Sequence, residues 1–391
     1  MSNYIQPGTY DYARHNDEVR GMWDAYHQGH PQRVPIQFSM NARMVLQNPE
    51  LNVWRYSWQQ YFESPDVRWD VELAFQKWAR FNVIQDSPMR YPEKEWAGIG
   101  VHYQNCDEAA WFGCPLYYPI DDMPFIKPIL QEHKEKLYDL VPPDPMSGGI
   151  MARAMEHYQY LELKRQTEDF DGLPVGKTWV FGSGTDGPFT VACNLRGASE
   201  VANDLYDDPA YVHDLLSFIT GAIITRMQAI LTFNGHIYPN AGWGFADDSV
   251  ELISTEMYKE FVQPYHQKLL NAFSQGGPNS IHLCGRVQHH LKHLKDQLNI
   301  KTFDLGFPTD MGKARNDLGE DVTLIGNIAP HLLQQGTAEA IRHQTISLCR
   351  SGVMRGGKFI LHDGNNCAPN TPVEHFQAMY DAGREYGVYT N

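Results

Sequence analysis

A histidine and a cysteine two residues apart, His282-Leu283-Cys284, can face one point if the chain turns after them. Gly285 gives the chain that freedom. A further cysteine, Cys367, follows far downstream after His362-Asp363-Gly364-Asn365-Asn366. One imidazole and two thiolates are soft enough donors for Zn²⁺, and three protein ligands leave one tetrahedral position for an exchangeable ligand. A structural zinc site more often uses four ligands in two close pairs, and no C-x-x-C occurs here. His282, Cys284 and Cys367 are therefore read as an open, reactive zinc site. Asp247 and Asp248 are candidates for proton handling or for a fourth ligand, with Glu251 behind them. Asp186, after a glycine-rich loop, and Asn327, at a strand end, are candidates for substrate binding. Turn and cap chemistry explains Asp186, Asp247 and Asp248 almost equally well. His289, His290 and His293 look like a second cluster but read as a solvated helix face. Cys106, Cys114, Cys193 and Cys349 read as packing residues.

These residues need elements to hold them together. Short apolar stretches near residues 34, 82, 177, 237, 280, 301, 322 and 358 alternate with amphipathic helical stretches. Helices are expected over 16–28, 69–80, 150–166, 255–273, 287–297, 310–318, 338–351 and 373–386. A long one reaches 233, interrupted near 207–209. Such alternation implies parallel strands joined by right-handed crossovers. Eight units favour a (β/α)8 barrel over an open doubly wound sheet, and no G-x-G-x-x-G follows the first strand. In such a barrel the reactive face lies at the C-terminal strand ends, where all three metal-ligand candidates fall. The expected organisation is one α/β domain over 1–391, with helical and irregular insertions over roughly 40–170. The rings of Trp54, Tyr56, Trp58, Tyr61 and Phe62 read mainly as packing within that insertion.

The chain has 391 residues, 42% hydrophobic, and a formal charge of −15. No basic stripe suits a nucleic acid. No run of about eighteen apolar residues suits a membrane span, and the N-terminus has no apolar signal region. Six scattered cysteines do not make a disulfide framework, so a cytoplasmic location is expected.

Several further segments carry a resemblance. They are Arg20-Gly21-Met22-Trp23 through Arg33-Val34-Pro35, Gly187-Pro188-Phe189-Thr190, Leu195-Arg196-Gly197, Ile325-Gly326-Asn327-Ile328-Ala329-Pro330, Gly356-Gly357-Lys358-Phe359-Ile360 and Cys367-Ala368-Pro369-Asn370-Thr371-Pro372. In their order and spacing the chain resembles the uroporphyrinogen decarboxylase superfamily, which implies a (β/α)8 barrel. True decarboxylases of that superfamily are metal-free and carry an arginine-rich N-terminal loop. Here Gln37-Phe38-Ser39-Met40-Asn41-Ala42-Arg43 stands near that place and lacks the arginine pair. The other branch comprises zinc-dependent methyltransferases that work with corrinoid proteins. Its H-x-C…C signature matches His282, Cys284 and Cys367. The resemblance thus implies methyl transfer between a small molecule (a thiol, a methoxylated aromatic or a methylamine-type compound) and a corrinoid carried by a partner protein. A homodimer is a further expectation. The alternatives are a metal-free decarboxylase or other lyase, and a non-catalytic zinc-containing binding protein.

Overall fold

Side chains alternate across a strand with period two, so a strand covered on one face by helices shows alternating burial. That pattern runs through the C-terminal half of the computed structural model, which describes residues 10–120 and 122–389. The strands are β1 (Gly100–Val101), β2 (Leu116–Tyr117), β3 (Phe125–Ile126), β4 (Trp179–Val180), β5 (Gly244–Ala246), β6 (Asn279–Leu283), β7 (Ile300–Leu305), β8 (Thr323–Ile328) and β9 (Phe359–Asp363). β5 to β9 form one parallel sheet in sequence order. Single parallel bridges extend it at both edges, Ile36 to Leu361 and Asp186 to Ala246. β1 and β4 pair in parallel, and β2 and β3 form an antiparallel hairpin.

The outward residues of the sheet, including Ile281, Leu283, Phe303, Leu305, Leu324, Phe359 and Leu361, are buried. They meet helices such as Leu291–Leu298, Met311–Leu318, Ala338–Arg350 and Val373–Tyr386. These elements lie within two or three residues of expectation, except that the first helix starts at 291 rather than 287. One apolar cluster runs from Val34 to Tyr380 through both halves of the chain.

Three expectations are corrected. The strand expected near 237 is Gly244–Ala246, because Pro239, Asn240 and Gly242 keep the preceding residues in turns. The strand expected near 82 is replaced by a hydrogen bond from Asp86 N to Ile36 O, 2.8 Å. Finally, one helix, Pro209–Phe233, is long and apolar enough to cross a membrane by length and composition. It packs against the Pro188–Arg196, Ala198–Asp207 and Gln263–Phe273 helices and buries Leu215, Leu216, Ile219, Ile223 and Met227. It is a core helix here, apolar on most sides because neighbours cover most sides.

At the other sheet edge, Arg33 forks onto Asp86 with two 2.6 Å hydrogen bonds. Asp86 also accepts from Ile36 N at 2.7 Å and is 1% exposed. Removing one partner of such a buried pair strands the other's charge, which costs about 3–5 kcal/mol. Arg33→Ala should lose that much stability in urea unfolding. A loss under about 1 kcal/mol would show that the pair does not hold this edge.

Candidate metal centre and cavity

The strand register sets the site. Asp186 bridges Ala246, Ala246 pairs with His282, His282 with Asp304, and Asp304 with Ile325. These residues form one row across the sheet, and period two turns the row toward the face away from the helices. Ser280 and Thr302 lie one step below on the same face. This face contributes to a cavity of about 560 Å³ that is also lined by Gln104, Asn105, Asp107 and Glu108.

His282 Nδ1 lies 2.8 Å from Asp304 Oδ2, and its Nε2 lies 3.2 Å from Cys284 Sγ. Asp248 Oδ1 accepts from Cys284 N at 2.8 Å and lies 3.8 Å from His282 Nε2. The ligand atoms of Asp248, His282 and Cys284 fall within 4.8 Å of one another, close enough to share one ion. An imidazole, a thiol and a carboxylate are a donor set suited to zinc. The carboxylate on the second ring nitrogen fixes the imidazole's orientation, as metal-bound histidines usually require. Burial alone would lower the His282 pKa, but the bonds to Asp304 and Cys284 outweigh it and hold the ring up to about 11. Burial pushes the Cys284 thiol up.

Cys367 stands outside this group of three. It is buried in the loop after β9, where its N donates to Ser39 O at 2.8 Å. Burial first, then the neighbouring Asp363 carboxylate, raises its thiol well above the ordinary value. The loop itself reaches the cluster: Phe307 N donates to Gly364 O, and a Cβ on Gly306 would lie 2.5 Å from Cys284 Sγ and 2.8 Å from Gly364 O.

The other sequence candidates divide. Asp186 lines the cavity, and among the described residues no hydrogen bond or ion pair reaches its carboxyl group. Asp247 is fully buried and points away from the cavity. Its carboxylate takes Phe189 N (3.1 Å), Thr190 N (2.7 Å), Thr190 Oγ1 (2.7 Å) and His266 Nε2 (2.7 Å). It caps the Pro188–Arg196 helix, whose first N–H groups have no intrahelical partner. Direct proton handling in the cavity is closed to it. Glu251 is exposed and accepts from Arg286 N at 2.9 Å, so it holds the turn after Cys284. Asn327 donates to Gly306 O and Thr309 O, which pins the loop after β7.

The solvated face expected for His289, His290 and His293 is corrected at His290 alone, since His289 is exposed and His293 half-buried. His290 is fully buried, its Nε2 3.0 Å from Val250 O, and His289 Nε2 lies 3.0 Å from Ile253 O. Because the helix starts at 291, His289 and His290 lie beside the segment that carries Asp248, while His293 meets Gln263 Oε1. The four cysteines read as packing residues are buried.

Sequence reading missed Asp304, Asp107 and Glu108 as site residues. Asp304 was visible as a lone carboxylate in an apolar strand. Asp107 and Glu108 open a short helix with no strand pattern to point inward. Glu108 is paired with Arg226 at 3.0 Å and takes Thr185 Oγ1 at 2.8 Å. Burial first and Glu108 second lift Asp107 to about 8. Burial, then Glu108 and Asp248, lift Asp186 well above the carboxylate range.

Residues 107–386 match the family described as Uroporphyrinogen decarboxylase (URO-D). The chain belongs to this family. URO-D relatives of two kinds align with it. A methylated-thiol–coenzyme M methyltransferase of Methanosarcina mazei is 27% identical over 204 residues, 51% of this chain and 51% of that protein. The chain thus spans about half the length of that relative. A methylcobamide:CoM methyltransferase MtbA of the same organism is 26% identical over 297 residues, 74% of this chain and 79% of that protein. A uroporphyrinogen decarboxylase of Prochlorococcus marinus is 24% identical over 363 residues, 91% of this chain and 93% of that protein. Among solved structures, a methyltransferase from Methanosarcina mazei superposes with a TM-score of 0.64 at 17% identity, covering 94% of this chain and 98% of that one. The fold is shared with it.

Proposed function

We propose that this chain is a zinc-dependent methyltransferase on a (β/α)8 barrel, active in the cytoplasm. It would move a methyl group between a small molecule and a corrinoid carried by a partner protein. The observation that carries this reading is the cluster of His282, Cys284 and Asp248 at the C-terminal ends of parallel strands. The relatives named as methyltransferases support it. His282, Cys284 and Cys367 would hold the ion, with Asp248 as the nearest further oxygen donor. A zinc ion so held supplies a Lewis acid that lowers the pKa of a bound thiol or polarises a methyl-bearing heteroatom. Asp304 orients the imidazole, Asp248 holds the Cys284 backbone, and Asn327 fixes the loop that meets the Cys367 segment. The cavity opens beside the cluster and would admit the small molecule.

The test is metal analysis of protein purified without chelator, followed by turnover with methylcobalamin and a panel of thiols as methyl acceptors. About one zinc per chain and methyl loss from the cobalamin are expected. Less than about a tenth of an equivalent of zinc would overturn the reading. It would also favour the second one, a metal-free decarboxylase, which the long alignment to such an enzyme supports.

A further inference from the structure

The interior of a (β/α)8 barrel is usually packed with bulky branched side chains. The inner face of this sheet is not. Trp243 and Phe245 turn outward onto Phe273 and His266, which leaves Gly242, Gly244 and Ala246 on the inner side. Beside them stand Ser280 and Thr302, one step below His282 and Asp304. Both are half-buried, and among the described residues neither hydroxyl has a hydrogen-bond partner. A Cβ on Gly244 would lie 2.1 Å from Ser280 Oγ, so glycine there makes room for that hydroxyl. Below this level lies a second cavity, of about 410 Å³. It shares Ser183, Trp243, Gly244, Ser280 and Thr302 with the cavity beside the metal centre. It continues to Tyr238, Pro278 and the exposed His236 and Asn240. No aspartate, glutamate, lysine or arginine among the described residues lines it. His282, Ser280 and Pro278 line the two cavities at successive levels, and at about 3.3 Å per residue the first and last stand roughly 13 Å apart.

We propose that the two cavities form one axial pocket, and that the small molecule carries an uncharged, oxygen-bearing tail that lies along it past Ser280 and Thr302. This rests on the methyl-transfer reading only for the methyl-bearing end at the metal centre. The tail is argued from the lower cavity alone. Its length follows from the span between His282 and Pro278, since a compact ligand fills the upper cavity and leaves the lower one to water. Its polarity follows from the two inward hydroxyls, which a hydrocarbon would leave unpaired at a cost. Its neutrality follows from the lining, where a charged group would be desolvated without a partner. His236 stands at the exposed end, where water reaches it. A glycine inside a strand often marks a place where a ligand comes close to the backbone, and Gly244 sits where the two cavities meet.

The experiment is calorimetric titration of the full chain as purified with a series of methyl ethers: 2-methoxyethanol and the monomethyl ethers of diethylene and triethylene glycol. Methoxyethoxyethoxyacetate, as long as the last but ending in a carboxylate, is the fourth compound. Affinity should rise about ten-fold from the shortest neutral ether to the longest, and the carboxylate should bind about ten-fold more weakly than its neutral counterpart. Ser280→Leu and Thr302→Met, which fill the junction, should flatten the rise so that the long ethers bind no better than the short one. Ser280→Ala, which keeps the junction open, should retain part of the rise. An affinity that does not change with length in the unmodified protein, or tighter binding of the carboxylate, overturns the proposal whatever the variants do. So does a rise that survives in both filled variants. Turnover with methylcobalamin is read separately. Binding that grows with tail length without methyl transfer fails the function and leaves the axial pocket standing. Methyl transfer with no dependence on length does the reverse.

Discussion

Cys284→Ala should leave the purified protein with less than about a tenth of an equivalent of zinc and lower methyl transfer by roughly a thousand-fold or more. A Lewis-acid metal contributes several kcal/mol to a polar transition state, and each 1.4 kcal/mol is ten-fold in rate. Cys284 sits where its loss cannot be covered. Its sulfur is 3.2 Å from His282 Nε2, and Gly306 leaves no room for a bulkier donor, since even a Cβ there would lie 2.5 Å from Sγ. Two further variants divide the ligand set. Cys367→Ala should also strip the zinc, because a second thiolate binds far more tightly than an exposed carboxylate. Asp248→Asn should keep most of it and change turnover. Zinc retained in Cys367→Ala and lost in Asp248→Asn would assign the third position to Asp248. That arrangement is the one already gathered around His282 and Cys284. Metal content by elemental analysis, beside circular dichroism to check folding, reads all three.

How much of this was visible in the sequence depends on which physical rule governed each residue. β6 to β9 were legible because apolar residues such as Ile281, Phe303 and Leu324 alternate with side chains that face the cavity. The same alternation aligned His282 with the reactive face, and Gly285 after Cys284 marked the turn. The register was not legible. Only the pairing of His282 with Asp304, and of Ala246 with Asp186, reveals that four distant segments share one row. Nor could spacing tell Asp247 from Asp248. Adjacent residues in an extended chain point opposite ways, so one of the two had to leave the site. Which one left was decided by the Pro188–Arg196 helix, whose bare N–H groups wait behind β5. The first third of the chain stayed opaque for a different reason. Its cavity residues, Asp107 and Glu108, reach the site from a five-residue helix that carries no period long enough to read.

Asp247→Ala is expected to be the most destabilising change near the site, though Asp247 never reaches the cavity. Its carboxylate satisfies two helix N–H groups and the Thr190 hydroxyl. It also receives His266 Nε2, whose other nitrogen meets Tyr258 OH at 3.0 Å; Asp247, His266 and Tyr258 are fully buried and Thr190 is half-buried. Gly187 is what lets it approach, because a Cβ there would lie 2.2 Å from Asp247 Oδ2. Alanine at 247 leaves those donors buried and unpaired, each costing about 1–3 kcal/mol, and part of that is recovered by water entering the gap. A net loss of about 3–5 kcal/mol in urea unfolding is expected. Because Asp248 follows directly and holds Cys284 N, zinc affinity should also fall, by about 10–100-fold, as for loss of a ligand's supporting partner. Asp247→Asn separates the two roles. Its remaining oxygen can still take Thr190 N and Oγ1, so it should recover part of the stability and most of the zinc affinity. If Asp247→Ala unfolds at the same urea concentration as the unmodified protein, this network does not anchor the site. If stability falls while zinc affinity holds, Asp248 is positioned by β5 itself and not through its neighbour.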